Sequence, residues 1–243
     1  MIPKKIHYCW LSDDPMPKET LKCINSWKRF LPDYELIKWN LNRFPLTKNI
    51  WVREAFENKK YAFAADYIRL YALATEGGIY LDSDVEVLKP FDNLLKYPYF
   101  ICKENSPQGI EAAIIGAEKN TPWIVACLNY YNGKHFIAED GKMQTTVLPA
   151  ILKKCILNKF EMRFIDSPSH FIYDNKIVCV LPTDYFSPKN YVTKKIAITQ
   201  NTYTIHHFAG TWQPLWKRII LKIWVPFSVK YPKLSEYIKS KFK

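Results

Sequence analysis

The stretch "EGGIYLDSDVEV", residues 76–87, limits the fold of this chain more than any other. Two glycines, which suit a tight backbone turn, separate an Ala-rich helical pattern from the apolar run "IYL". Acidic residues then occupy the alternate positions Asp82, Asp84 and Glu86. Because an extended chain repeats every two residues, we expect these carboxylates to lie on one face at the end of a buried strand.

Alternating strand and helix patterns lead up to this stretch. "KKIHYCWL" predicts a first strand, Pro17 opens an amphipathic helix, and "YELIKWN" predicts a second strand. Residues 50–76 predict a helix with one irregularity. This order predicts an α/β fold that begins with parallel strands. Later in the chain we expect helices at "TPWIVACLNYYNGK" and "QTTVLPAILKKCI", and short strands at "YFICKE", "EAAIIGAE", "EMRFID", "HFIYD", "KIVCVLP" and "TYTIHHFAG".

Length and composition favour one packed domain with an appendage. The chain has 243 residues, 48% of them hydrophobic, so it can bury a sizeable core. We expect a single domain over residues 1–212 and a basic, aromatic, helical tail over residues 213–243. The six scattered cysteines show no metal-ligand spacing and predict reduced thiols. No secretory signal pattern and no bilayer-spanning apolar run is found, so we expect a cytoplasmic location.

The acidic residues after the strand predict a metal site. Asp82 and Asp84 would repel each other at this spacing unless a cation lay between them, and Mg²⁺ and Mn²⁺ take such oxygen ligands together with substrate phosphates. The alternative is an acidic strand end exposed to water. In the preceding helix Asp66 and Arg69 lie three residues apart among apolar neighbours. They predict either an ordinary surface ion pair or a buried pair that binds a hydroxyl-rich ligand.

Four ordered segments resemble one enzyme family. "IPKKIHYCWLSDDPMP", "SWKRFLPDYELIKWN", "YAFAADYIRLYALATEGGIYLDSDVEVLKPFDNLL" and "NTYTIHHFAGTW" are similar to the DXD-containing sugar transferases of glycosyltransferase family 32. That family includes bacterial capsular-polysaccharide enzymes and fungal initiation-specific mannosyltransferases, and the large clostridial glucosylating toxins are more distantly similar. The resemblance implies a GT-A fold, a nucleotide-sugar donor, Mn²⁺ or Mg²⁺, and retention of anomeric configuration.

The resemblance also implies roles for individual residues. Asp84 would be the main direct metal ligand, and Asp82 would contact the donor and the metal through water. Asp66 and Arg69 would hold hydroxyls of the donor sugar. Trp10, at the end of the first strand, would stack on the nucleotide base. UDP is the preferred nucleotide, and GDP-mannose is the alternative.

The segment "IHHFAGTW" would complete the site from the other side. Strand alternation allows only one of His206 and His207 to face the metal, and the family pattern favours His207. Trp212 would close over the diphosphate. Two departures from the family pattern concern the donor sugar and the acceptor: Glu111 and Ala112 stand where Asn is frequent, and "GKMQTTVLPA" lacks an expected Thr-Gly-Pro.

The net charge of +12 predicts an anionic partner. In the tail, lysines alternate with aromatic residues, which suits a membrane interface and a lipid-diphosphate-linked saccharide acceptor. The tail could instead be a helix packed on the domain. We therefore expect a hexosyltransferase of surface polysaccharide biosynthesis, peripheral to the inner face of the cytoplasmic membrane. The alternatives are a metal-dependent phosphoesterase and a nucleic-acid-binding protein, although no nucleic-acid-binding motif is present.

Overall fold

The computed structural model describes residues 1–104, 109–210 and six positions near the C-terminus (224, 227, 228, 231, 234 and 235). Within these residues five helices run over Lys18–Phe30 (α1), Ile50–Glu57 (α2), Tyr61–Glu76 (α3), Pro122–Asn129 (α4) and Leu148–Lys159 (α5). The strands are Lys5–Cys9 (β1), Glu35–Trp39 (β2), Gly78–Leu81 (β3), Val85–Val87 (β4), Tyr99–Phe100 (β5), Ile114–Ala117 (β6), Glu161–Phe164 (β7), Ile177–Val180 (β8) and Thr204–His206 (β9).

Five of these strands form the central sheet, in the order β2-β1-β3-β6-β5. β1 pairs in parallel with both β2 and β3, as the β–α–β order of the sequence predicts. β6 runs antiparallel to β3 and to β5, so the sheet is mixed. Two smaller sheets pair β4 with β9 antiparallel and β7 with β8 parallel. The predicted α/β class is confirmed, and the mixed sheet agrees with the GT-A expectation.

Helix α3 packs on the central sheet because most of its surface is apolar. Ile68, Leu70 and Leu73 are fully buried in the core. The helix ends at Gly77, whose backbone has φ +66° and whose N–H donates to the Leu73 carbonyl at 3.0 Å. The next residue begins β3, so the chain reverses direction within the two glycines. The N-terminal half of α3 therefore lies beside the carboxyl end of β3.

Most predicted elements are present, and one predicted strand is absent. "HFIYD" begins at the last residue of a 3₁₀ turn, Pro168–His170, and continues as irregular chain between the paired strands β7 and β8. Its Tyr173 side chain is largely exposed. All six cysteines are free. Among the described residues no helix has the length and hydrophobicity needed to cross a bilayer.

The tail prediction falls mainly outside the described residues. Trp212 and most of residues 213–243 are not among them. The positions 224, 227, 228, 234 and 235 are helical. The division at residue 212 and the role of the tail stay predictions.

Candidate active site

Strand register brings separate chain segments to one point at the carboxyl end of β3. In the antiparallel β3–β6 pair Leu81 lies opposite Ile114, so the residues before β6 lie beside Asp82. The N–H of Asp82 donates to the Ala113 carbonyl at 2.8 Å. In the β4–β9 pair His206 lies opposite Val85, which places the end of β9 beside Asp84. The site is therefore assembled by pairing between strands that are distant in sequence.

The two aspartates of the DXD motif lie in a turn, which corrects the expectation of a continuous strand. β3 ends at Leu81 and β4 begins at Val85, whose N–H donates to the Asp82 carbonyl at 3.0 Å. The two carboxylates nevertheless converge, since Asp82, Asp84 and His206 each offer a ligand atom within 4.8 Å of the others. This convergence is the property that the alternation of carboxylates predicted.

Asp66 and Arg69 form a buried network with Asp82. Arg69 Nη2 lies 3.2 Å from Asp66 Oδ1 and 3.0 Å from Asp82 Oδ1, and Nη1 donates to the Ala112 carbonyl. The Tyr80 hydroxyl donates to the same Asp82 oxygen at 3.1 Å. The side chain of Arg69 is only 6% exposed and that of Asp66 12%, so a surface ion pair is excluded. The prediction of a buried charged pair is confirmed.

Burial sets the protonation equilibria of this network. It raises the pKa of Asp66 to about 7, although the neighbouring Arg69 favours the ionised form. Burial also raises the pKa of Asp82, again against the effect of Arg69. Arg69 stays charged, because its two carboxylate neighbours outweigh desolvation and raise its pKa. The charged guanidinium of Arg69 thus faces two carboxylates whose ionised forms are disfavoured by burial. Polar groups of a bound ligand would stabilise those ionised forms.

The structure places His206 at the DXD motif and turns His207 away, so its geometry favours His206 over the expected His207 as a metal ligand. His206 Nε2 lies 3.6 Å from Asp84 Oδ1. His207 Nε2 lies 2.9 Å from Glu86 Oε2 on the other side. Successive side chains of a strand point to opposite faces, so the β4–β9 register decides which histidine faces the aspartates.

The chemistry of this group fits a divalent cation. Two carboxylates are ligands that Mn²⁺ and Mg²⁺ sites use, and an imidazole is a further ligand for a transition-metal ion. Burial favours neutral His206, but Glu111 and Asp84 outweigh it and raise the pKa of His206 to about 10. In the metal-free protein a proton therefore balances the carboxylate charge, and a metal ion would take over that task. Asp82, Asp84 and His206 are the residues that would hold it.

Of the two tryptophans predicted to contact the nucleotide, only Trp10 is among the described residues. Trp10 directly follows β1, at the sheet edge where Asp82 follows β3, and its Nε1 donates to the Asp14 carbonyl at 3.0 Å. Its ring is partly exposed. Trp212 lies outside the described residues. A role for either ring in nucleotide binding stays a prediction.

Several contacts at the site were not predicted from the sequence. Glu111, which is fully buried, lies with Oε2 3.2 Å from His206 Nδ1. The N–H of Ala209 donates to Asp84 Oδ2 at 2.7 Å. Lys189 Nζ donates to the His207 carbonyl at 2.9 Å. A carboxylate directly before the apolar run "AAIIGA" was the available signal for Glu111, whereas the contacts of Ala209 and Lys189 have no local signature.

Comparison with a protein-family model gives a match over residues 17–101. The family is described as the glycosyltransferase sugar-binding region containing the DXD motif. The matched residues run from the start of α1 to β5 and include Asp66, Arg69, Asp82 and Asp84. The DXD segment, residues 76–87, lies within this match.

Two fungal proteins are similar over part of the chain. Inositol phosphoceramide mannosyltransferase 3 of Schizosaccharomyces pombe is 32% identical over 128 residues, 51% of this chain and 35% of the relative. Mannosyl phosphorylinositol ceramide synthase SUR1 of Saccharomyces cerevisiae is 30% identical over 132 residues, 53% of this chain and 34% of the relative. The matched region spans about a third of each of these proteins.

Among solved structures, the PaToxG glycosyltransferase aligns with a TM-score of 0.48 at 22% identity, over 65% of this chain and 68% of the other. The family match rests on sequence and includes the residues that form the buried network. Residues 17–101 of this chain thus match the sugar-binding region of the DXD-containing glycosyltransferases, in agreement with the resemblance found in the sequence.

Proposed function

We propose that this protein transfers a sugar from a nucleotide-sugar to a hydroxyl of a saccharide or lipid-linked acceptor, with a divalent cation held by Asp82, Asp84 and His206. The observation that carries the proposal is the convergence of these three side chains, from two separate segments, beside the buried Arg69–Asp66 pair. A site that only stabilised the fold would gain little from so many buried charges. A donor that carries a diphosphate and sugar hydroxyls would satisfy them.

The residues of the site suit the parts of such a donor. A bound cation would neutralise the negative charge of the nucleoside diphosphate as it leaves. Arg69 holds the Asp66 and Asp82 carboxylates in place, and a carboxylate in a water-poor site binds sugar hydroxyls through strong hydrogen bonds. Trp10 supplies a flat ring for the base at the same sheet edge.

The donor nucleotide and the acceptor are separate parts of the proposal. The Trp10 and Asp66–Arg69 pattern favours a UDP-sugar, whereas the names of the fungal relatives favour mannose and hence GDP-mannose. Those names also support an acceptor with a phosphorylated polyol headgroup on a lipid. A surface polysaccharide intermediate on a lipid diphosphate is the other acceptor that the sequence supports. Retention of configuration would follow from attack on the donor face that the leaving diphosphate occupies.

Donor binding is tested by thermal unfolding with UDP-Gal, UDP-Glc, UDP-GlcNAc, UDP-GalNAc and GDP-mannose, each with and without Mn²⁺. We expect a Mn²⁺-dependent rise in Tm for one donor, which is lost in Asp84→Asn. Asp33→Asn, at an exposed turn, is the control and should behave as wild type. The absence of a shift with every donor would contradict the proposal. Analysis of the product anomer by NMR then tests retention.

One structural observation supports the alternative hypothesis of a phosphoesterase that uses the same aspartates. Glu104, Glu111 and His206 form a second group of ligand atoms within 4.8 Å of one another, which the sequence had not indicated. A two-metal esterase needs two neighbouring sites of this kind. The family match favours sugar transfer. Mn²⁺-dependent hydrolysis of p-nitrophenyl phosphate, without donor binding, would favour the esterase.

We also propose that the tail contacts an anionic membrane surface. From Leu215 to Lys243 the sequence interleaves lysines with Trp, Phe and Tyr, a composition that suits the headgroup layer. Cosedimentation with vesicles tests this contact. The full chain should bind vesicles that contain phosphatidylglycerol and release them at high salt, and a chain truncated after residue 212 should not bind. Equal binding of both chains would contradict the role of the tail.

A further inference from the structure

Glu111 has an environment that a carboxylate seldom occupies without a function. Its side chain has no exposed surface. Oε1 accepts the N–H of Ala113 at 2.8 Å, and Oε2 lies 3.2 Å from His206 Nδ1. Burying a carboxylate costs several kcal/mol in practice unless a well-placed partner compensates. In the described part of the chain the ionic partner of Glu111 is His206.

The contact with Glu111 determines which nitrogen of His206 faces the aspartates. Glu111 occupies Nδ1, and Nε2 then lies 3.6 Å from Asp84 Oδ1. A ring nitrogen held by a carboxylate carries the proton, which leaves the other nitrogen for a metal ion. The side chain of His206 is 12% exposed, so its packing leaves little room for another orientation. Contacts therefore run from the buried Glu111 through His206 to Asp84 at the candidate metal site.

The short segment that carries Glu111 also holds two other members of the site. The Ala112 carbonyl accepts from Arg69, and the Ala113 carbonyl accepts the N–H of Asp82 at 2.8 Å. Three consecutive residues thus contact a histidine, an arginine and an aspartate of the site. Glu111 lies just before β6, so the position of β6 determines where the Glu111 carboxylate meets His206.

We infer that Glu111 is a positioning residue that fixes His206 with Nε2 directed at the divalent cation held by Asp82 and Asp84. This inference rests on the proposed metal site, and it adds a residue that does not itself contact the cation. Glu111 is one of the positions at which the sequence departs from the pattern of the similar family, and the inference gives this residue a function. It further implies that metal affinity, and not only stability, depends on the carboxylate at residue 111.

The experiment compares Mn²⁺ binding by wild type, Glu111→Gln and Glu111→Asp, using electron paramagnetic resonance of free Mn²⁺ without nucleotide. The expected result is a 10–100-fold weaker affinity for Glu111→Gln, the range typical of lost carboxylate partners of metal-bound histidines. Glu111→Asp, which keeps the charge, should recover part of the loss. The matched control is Glu54→Gln: Glu54 is also a carboxylate that pairs with a histidine, His135 at 2.7 Å, but on another part of the fold.

The outcomes separate this inference from the proposed function. Wild type that binds no Mn²⁺ would contradict the proposed metal site itself. Wild type that binds Mn²⁺ while Glu111→Gln binds it equally tightly would overturn the inference alone. A merely structural role predicts that Glu111→Gln and Glu54→Gln lower Tm alike and leave Mn²⁺ affinity unchanged.

A measurement on the wild type keeps the inference testable if the Glu111 variants do not fold. The ¹⁵N chemical shifts of the imidazoles, recorded with diamagnetic Zn²⁺ in place of Mn²⁺, report which nitrogen binds the metal. We expect Nε2 of His206 to bind it and Nδ1 to keep its proton. Metal bound at Nδ1, or a His206 ring that does not respond to Zn²⁺, would overturn the inference.

Discussion

Arg69 Nη2, on helix α3, lies 3.0 Å from Asp82 Oδ1, at the end of strand β3. The same nitrogen lies 3.2 Å from Asp66 Oδ1, so one guanidinium joins the helix to the DXD motif. A second guanidinium nitrogen, Nη1, donates to the Ala112 carbonyl at the same time. A lysine could not reproduce this geometry, since its ammonium is a single point of charge without the planar fork of donors.

Arg69→Ala should destabilise the protein by about 3–5 kcal/mol, because it leaves two buried carboxylates without their cation. Arg69→Lys should recover only part of this loss. Urea denaturation measures both variants. The control is Arg43→Ala, which removes a 2.8 Å ion pair with Glu76 from a side chain that is 41% exposed. That change should cost about 1 kcal/mol or less. Similar losses in Arg69→Ala and Arg43→Ala would contradict a buried network.

The two adjacent histidines should differ in their effect on metal binding. His206→Ala removes the imidazole beside Asp84 and should weaken Mn²⁺ affinity by at least about tenfold. His207→Ala removes a partner of Glu86 and should leave that affinity unchanged. Isothermal titration calorimetry with Mn²⁺ measures both. The opposite ranking would restore the family-based choice of His207.

The stability of the metal-free protein should fall as pH rises above neutrality. The folded-state pKa of His206 is about 10, above the ordinary value of 6.5, because Glu111 and Asp84 outweigh the effect of burial. A raised pKa contributes stability that is fully present below pH 6.5 and is lost as the pH rises towards 10. The loss approaches about 1.4 kcal/mol per pH unit for one proton.

Urea denaturation between pH 6.5 and 9 tests this dependence, with a chelator present to remove metal ions. His206→Gln should show a flatter dependence of the free energy of unfolding on pH than wild type. Identical slopes in the two proteins would refute the prediction.

Gly77 should tolerate alanine much less well than Gly133, although the two have nearly the same φ. Gly77 has φ +66° and Gly133 has φ +67°. A Cβ on Gly77 would lie 2.7 Å from the Lys119 backbone nitrogen, whereas one on Gly133 would meet nothing within 4 Å. Both variants carry the cost of a positive φ, and Gly77, whose ψ is −178°, also lies in a region that is essentially restricted to glycine. Gly77→Ala should lose about 1–3 kcal/mol more, from the overlap together with its backbone conformation.

Thermal and urea denaturation of the two glycine variants provide the comparison. A larger loss in Gly77→Ala indicates that the close approach of the 117–119 backbone and the φ/ψ combination of Gly77 together require glycine at the junction of α3 and β3. Equal losses of stability in the two variants would mean that a positive φ alone explains the need for glycine at residue 77.

Local patterns were sufficient for the elements around the DXD motif. The alternation in "KKIHYCWL" and "YELIKWN" predicted β1 and β2, and the Ala-rich run before Gly77 predicted α3. Asp66 and Arg69 were correctly expected on one face because they are three residues apart on a helix. These predictions succeeded because helix and strand periodicity is a property of neighbouring residues.

Predictions failed where pairing between distant segments decides the outcome. "HFIYD" has the composition of a strand, but it lies between β7 and β8 without pairing to either. Glu111 was recognised only as a departure from a family pattern, because its contact with His206 spans 95 residues. Asp82 and Asp84 were expected in a strand and lie in a turn, although their carboxylates converge as predicted.

By itself the sequence determined the α/β class, the helix that carries Asp66 and Arg69, and a pair of aspartates in position to bind a cation. Only the tertiary structure decided that His206 joins them and that Glu111 holds it. The physical reason is strand register: a shift of one residue in the β4–β9 pair would turn His207 towards Asp84 instead. Register is set by packing and hydrogen bonding between strands, which no window of neighbouring residues contains.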